Sequence, residues 1–376
     1  MKNLVDEFRS GRISRRSWLR AGAALGLIGA TGSTALIKEA ADSRQFNSSA
    51  SDSGRHLHRG TMGTVGSVDH AANGFHPHDV LTDFDYGSVS RLPSGQRLRE
   101  YSIVAEDKEI EVAPGVYFPA WTYSGRVPGP TIRCVEGDRI RITFVNAGSH
   151  PHTIHFHGIH STSMDGVPGV GAGEIEPGAS TVYEFNAAPF GCHLYHCHSM
   201  PLKRHVHKGL YGAFIIDPDP EKYSGDEQAL ARARNHEYPE CQEINEMIMV
   251  MNAFDTNIDG ENEIYAANTV AFGYMKDMIR IRESQRQRLY LVNITEFDDL
   301  NSFHLHANFF DYYDHGTTLT PTLKTIDTVM QCQGQRGILE FDFEGFEHGP
   351  YMFHAHQSEF AELGWMGFFD VTGDLA

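Results

Sequence analysis

The chain has 376 residues, with 31 Lys and Arg against 49 Asp and Glu, and its formal net charge of -18 argues against nucleic acid or an anionic membrane as a partner. Hydrophobic residues make up 40% and charged residues 21%, which is ordinary for a globular protein, and 5 Cys are too few for a disulfide-stapled scaffold. The unusual quantity is 22 His.

The chain opens on an address. Gly11 to Arg20 reads G-R-I-S-R-R-S-W-L-R, and an apolar, small-residue run follows from Ala21 to about Ile37. Paired Arg15 and Arg16 ahead of a weakly hydrophobic segment resemble a twin-arginine export signal. Residues 1–45 are assigned to it, with cleavage expected near Ala40–Ala41. The run is too short and too rich in Gly and Ala to span a bilayer. The expectation is an exported protein, periplasmic or extracellular, without stable membrane insertion. Residues 46–95 are polar, lack a sustained period and read as an irregular arm holding His56, His58, His70, His76 and His78.

From residue 96 the pattern becomes strand-like. Leu98–Ala105, Val112–Trp121 and Arg139–Val145 alternate, with Ile140, Ile142 and Phe144 on one face and Arg139, Arg141 and Thr143 on the other. Turn signals at Val127-Pro-Gly-Pro and Glu136-Gly-Asp separate the runs. Further strands are expected at Thr181–Asn186, His193–His198 and Gly212–Asp217. Residues 221–245 read as a linker with a helix-like patch at Glu227–Arg234. A second strand series fills 246–376: Met247–Met251, Arg288–Ile294, Ser302–Phe310, Gly337–Phe343, Tyr351–His356 and Trp365–Val371. Met247, Met249 and Met251 share a strand face and are assigned to core packing rather than to metal. The predicted fold is all-β: two tandem Greek-key β-sandwiches, 96–220 and 246–376.

Four short motifs carry the chemistry. They are His150-Pro-His-Thr-Ile-His-Phe-His-Gly158, His193-Leu-Tyr-His-Cys-His198 with His205 beyond, Phe303-His-Leu-His306 and Phe353-His-Ala-His356. On a strand, residues i and i+2 face the same way, about 6.5 to 7 Å apart. Four His-x-His pairs therefore present imidazoles in twos: His155/His157, His196/His198, His304/His306 and His354/His356. A single pair is weak evidence, but four of identical spacing, two per domain, point to metal. Cys197, between His196 and His198, points to the opposite face. One Cys with two His is the trigonal set of a blue-copper electron-transfer site.

These motifs resemble those of the multicopper oxidases, in particular the small two-domain, laccase-like type. The resemblance runs over most of 115–370 and includes F-P-A-W-T-Y near Phe118 and E-L-G-W-M-G-F-F near Glu362. It implies cupredoxin-like domains and four coppers per subunit. The implied type 1 ligands are His152, Cys197 and His205, the type 2 ligands His155 and His304, and the type 3 ligands His157, His196, His198, His306, His354 and His356. Ala355 stands where a second type 1 cysteine would be, so the blue site belongs to domain one. Leu210 occupies the place of the family's axial methionine and cannot coordinate, with Met200 the poorly spaced substitute and His207 the alternative to His205. Asp165, in Met-Asp-Gly, and Glu359 are the candidate proton carriers. The resemblance also implies a homotrimer with the trinuclear cluster between subunits. The substrates are then a small reducing molecule, such as a phenol, and O2. The rival readings are a copper nitrite reductase and a cuprous-ion oxidase or copper-tolerance protein. No spacing pairs Cys134, Cys192, Cys241 or Cys332.

Overall fold

The computed structural model describes residues 66–373. The segment read as an export signal, with His56 and His58, lies outside the described residues. The remainder is two β-sandwiches with cupredoxin-like topology.

The first sandwich pairs two five-membered sheets. One runs Phe84–Asp85, Thr131–Val135, Tyr211–Asp217, Gly191–His196 and His155–Phe156 in spatial order. The other runs Ser88–Arg91, Arg97–Ala113, Arg139–Asn146 and Ser180–Asn186, with Val116–Tyr123 paired to Arg97–Ala113. In the second sandwich, one sheet runs Ile264–Ala267, Asn245–Phe254, Gln287–Asn293, Arg336–Phe341, Phe310–Asp314 and Leu323–Ile326. Its companion runs Ile279–Arg282, Met366–Thr372, Gly349–His354, Leu300–Leu305 and Thr328–Cys332. Both sandwiches mix parallel and antiparallel pairs, so neighbours in space come from distant parts of the chain.

Alternation survives where a sheet has one wet face. Ile140, Ile142 and Phe144 are fully buried in the first core, while the residues between them reach the surface. It vanishes where a sheet is covered on both sides. Phe214 and Ile216 enter the first core, whereas Ala213 and Ile215 pack against Ile248, Val250, Tyr290 and Val292 of the second sandwich. On Asn245–Phe254 the alternation is three-layered: Met247, Met249 and Met251 face the second core and Ile248 and Val250 face the first sandwich. The methionine stripe is packing.

Two expectations require correction. The stretch read as an irregular arm forms helices His70–Asn73 and Pro77–Thr82 and strands Phe84–Asp85 and Ser88–Arg91. These elements are too short to show a period. Docking orders them: Asp69 caps the first helix, Pro77 starts the second, and Leu81 enters the second core. The His70 and His76 rings lie 4.1 Å apart, tilted by 55°, and His78 bonds the Asp277 carbonyl at 2.8 Å. The segment read as a linker is a helical strap, Gly225–Ala233 and Pro239–Gln242. Buried Arg234 anchors it to the carbonyls of Gly316 and Thr318.

A buried ionic network joins the sandwiches. Arg133 reaches Glu246 at 2.6 Å and Asp217 at 3.1 Å, and Arg288 reaches Glu340 at 2.7 Å and Glu246 at 3.1 Å. Arg133→Met would remove one of the two cations that hold buried Glu246 and leave Asp217 to His236, so it should destabilise the protein by about 3 kcal/mol, the low end for a broken buried pair, read as a lower denaturant midpoint. Burial alone would raise the pKa of Glu246, but Arg133 and Arg288 outweigh it and hold the carboxyl below the usual range. A depressed acid stabilises above its unfolded value of about 4.3 and loses that contribution as the pH falls through its folded value. The network should therefore fail on the acid side only.

Candidate metal centre

Three side chains converge inside the first sandwich. His152 follows the strand Arg139–Asn146, Cys197 leaves the end of Gly191–His196, and His205 sits on the short helix Leu202–His207. His152 Nδ1 and His205 Nδ1 are 3.2 Å apart, and Cys197 Sγ lies 3.3 Å from His205 Nδ1 and 4.0 Å from His152 Nδ1. All three are buried, at 0%, 0% and 3% exposure for His152, Cys197 and His205. The Thr153 N–H donates to Cys197 Sγ at 3.3 Å. Burial, and after it the neighbouring His205, pushes His152 down to about 4. Burial also takes His205 down to about 4 and raises the Cys197 thiol. Neutral imidazoles are the ligand form that a copper ion takes, and the Cys197 thiol would release its proton to the medium on binding to become the thiolate ligand.

The surroundings sort the alternatives. Leu210 is fully buried, its carbonyl accepting from the Cys197 N–H at 2.9 Å. Met200 is 67% exposed. His207 points away, its Nε2 accepting from the Asp255 N–H at 2.9 Å.

On the far side of the same strand, four imidazoles gather. His155 pairs in register with His196. The Nε2 atoms of His157 and His196 are 2.9 Å apart. The His155 ring lies 5.1, 5.3 and 5.3 Å from the rings of His157, His196 and His198. His196 Nδ1 donates to the Cys197 carbonyl at 2.8 Å, and His155 Nδ1 contacts Asp165 at 2.9 Å. With Nδ1–H fixed, the Nε2 lone pair points inward, as a metal requires. Among the described residues the buried Nδ1 of His198 has no hydrogen-bond partner. Burial, then His196, lowers His157 to about 2, and burial lowers His196 to about 4.

The second sandwich repeats this arrangement. His304 pairs in register with His354, and the Nε2 atoms of His306 and His354 are 2.8 Å apart. His354 Nδ1 donates to the Ala355 carbonyl at 2.7 Å, where His196 uses that of Cys197. His304 Nδ1 contacts the Asp327 carbonyl at 2.9 Å, and the His304 and His356 rings lie 5.2 Å apart. In each half one hydroxyl holds the outer histidine: Thr153 Oγ1 accepts from the His198 N–H and Ser302 Oγ from the His356 N–H, both at 2.9 Å. This T-x-H-x-H and S-x-H-x-H correspondence was legible in the sequence, but neither hydroxyl is a metal donor and neither was singled out. In both halves three imidazoles form the tight set, and His198 and His356 stand farther out. Among the described residues no ring contact joins the two tetrads.

The proton-carrier candidates separate. Asp165 bonds His155 and lies 3.4 Å from His160 Nε2, so His160 joins the site unforeseen. Glu359 is exposed on the helix Ser358–Glu362. Gly166 fixes the Asp165 turn. It has φ 67°, and a Cβ there would meet the Ile154 carbonyl oxygen at 2.0 Å. Gly166→Ala should displace the Asp165–His155 pair and weaken metal retention about 10- to 100-fold, measured by chelator titration. The remaining cysteines, Cys134, Cys192, Cys241 and Cys332, are all free thiols.

The sequence matches family profiles described as multicopper oxidase over residues 105–221 and 242–374. A solved structure described as a multicopper oxidase is 50% identical with TM-score 0.73, covering 81% of this chain and 100% of its own. The "probable nitrite reductase-hydroxylamine oxidoreductase fusion protein" of Kuenenia stuttgartiensis is 28% identical over 301 residues, 76% of this chain and 33% of that protein. The copper-containing nitrite reductase of Neisseria meningitidis serogroup A is 34% identical over 114 residues, 30% of this chain and 28% of its own. The chain thus spans a third or less of these curated relatives.

Proposed function

The chain belongs to the multicopper oxidase family, and on that premise we propose that it is a laccase-like oxidase. In this reading it takes single electrons from phenols or similar donors and reduces O2 to water. The observation that carries the reading is the pair of equivalent histidine tetrads, one per sandwich. Each is half a shell.

His152, Cys197 and His205 would hold the type 1 copper, and buried Leu210 beside them offers no donor. His155 with His304 would hold type 2, and His157, His196, His198, His306, His354 and His356 the type 3 pair, giving four coppers per subunit. Copper supplies one-electron steps that the side chains cannot, and four such steps with four protons convert one O2 to two waters. The protein's own task is placement. The Cys197 carbonyl bonds the His196 ring, so one residue touches both metal environments. Asp165 holds the proton on His155 Nδ1 and, through His160, links the tetrad to an open cleft with Ser161, Ser163 and Glu184.

A second subunit completes the cluster in this proposal. His306 and His356 are exposed, and Leu300 and Met330, 41% and 60% exposed, lie on the same sheet face as His304. Closure of that face on the first tetrad of a neighbour gives a ring, here a homotrimer. Export by the twin-arginine route belongs to the same proposal. Among the described residues no helix is long and apolar enough to cross a membrane.

Nitrite reduction is the second reading, favoured by relatives of that name. It needs a single catalytic copper, whereas His155 and His198 add donors beyond that need. Assaying O2 uptake with a phenol and with Cu(I), beside nitrite turnover, tests the proposal. Uptake with the phenol is expected, and nitrite turnover without O2 uptake would overturn it.

A further inference from the structure

The helix Leu202–His207, which delivers His205, also carries Lys203 and Arg204 and ends on Lys208. Each cation lies over an aromatic face. Lys203 Nζ is 4.1 Å from the Phe297 centroid, Arg204 Cζ 5.0 Å from Trp121, and Lys208 Nζ 5.1 Å from Phe118. Among the described residues none of the three has a carboxylate at ion-pair distance. The nearby acids turn to other donors, Glu174 to the Met200 N–H, Asp107 to the Ser149 N–H and Glu296 to Gln333, and offset part of the collar's charge only from beyond ion-pair distance. Lys208 Nζ also donates to the Pro119 carbonyl at 2.5 Å, while Lys203 and Arg204, exposed and held on ring faces, keep their outward sides free for a ligand. This collar stands out in a chain of net charge -18.

Trp121 connects the collar to the buried triangle. Its ring lies 4.8 Å from His205, 5.2 Å from His152 and 4.6 Å from His150. Arg204 is exposed above it, and His205 is only 3% exposed. A donor that stacks on the Arg204 guanidinium is therefore separated from the ligand His205 by one indole.

We propose that Lys203, Arg204 and Lys208, with Trp121 beneath, form the docking site for an anionic aromatic electron donor, such as a phenolate or an aryl sulfonate. The proposal rests on the oxidase reading and names its substrate class. A type 1 copper held by His152, Cys197 and His205 would take one electron from each docked donor, with O2 as the final oxidant. A phenolate leaves as a neutral radical with no proton to shed. Charge selects the ligand by steering, and flat rings stack where aliphatic anions do not.

The test compares ferrocenesulfonate with (ferrocenylmethyl)trimethylammonium as reductants of the copper-loaded protein. Reduction is followed anaerobically and corrected for driving force. At low salt the anion should react about 10-fold faster. That ratio should collapse in the triple variant Lys203→Gln, Arg204→Gln, Lys208→Gln and at about 1 M salt. A ratio unchanged by the variant overturns the proposal. A second readout needs no turnover: the Trp121 indole resonance of the reduced protein, assigned through Trp121→Phe. It should shift with benzenesulfonate, not with phenyltrimethylammonium, and not in the triple variant. Equal shifts, no shift, or a response only to an acidic redox protein overturns the docking site. A protein that shows the indole shift but takes up no O2 keeps the docking site and loses the oxidase reading.

Discussion

Cys197→Ser should abolish the intense blue colour of the copper-loaded protein and stop O2 consumption with a phenol. The loss should exceed the about 10- to 100-fold typical of an outer-shell change, because the substitution removes a ligand and the relay together. Serine keeps the size of the side chain, and its hydroxyl can still accept from the Thr153 N–H that now bonds the sulfur. The fold should therefore survive, and the His155 and His304 tetrads should still retain copper. Absorption, metal analysis and O2 electrode traces on one preparation check this. A variant that stays blue, or turns over within a few-fold of the parent, would show that Cys197 is not the electron's route.

A mixing experiment has the next largest effect. His196→Ala disables the first tetrad, and His354→Ala the second. Each homogeneous variant should be inactive with phenol and O2. If the two halves meet across a ring of three, a cluster is whole wherever an intact first sandwich follows an intact second one. Equal, random reassembly makes that probability one half times one half, so about a quarter of parental activity should return. No return on mixing would place both halves of each working cluster within one chain. Both substitutions leave the Cys197 triangle intact, so the blue absorption serves as an internal check that each variant is folded.

The sequence showed what local periodicity encodes. His155 and His157, or His304 and His306, share a face because a strand repeats every two residues, and the structure gathers each pair with its partners from the adjoining strand. Ile140, Ile142 and Phe144 announced their strand because its other face is wet. Tyr211–Asp217 and Gln287–Asn293 lost that signature because both faces are buried between cores. Short elements such as Phe84–Asp85 were invisible because only a distant strand, Thr131–Val135, gives them a partner. His160 was missed for a similar reason, since its partner Asp165 reaches it through a turn fixed by Gly166. Thr153 escaped notice because its hydroxyl is no metal donor, yet it touches both the Cys197 sulfur and the His198 backbone. Trp121 was quoted only as part of a motif, and its contacts with three imidazoles became apparent once distant strands were assembled.

Two open half-shells should close over metal only in the assembled ring, and copper analysis before and after dissociation measures this directly. The ring should carry about four coppers per chain, and gentle dissociation should release about three while the buried Cys197 triangle keeps one. A dissociated chain that retains all four, or a ring that never binds more than about two, would contradict it.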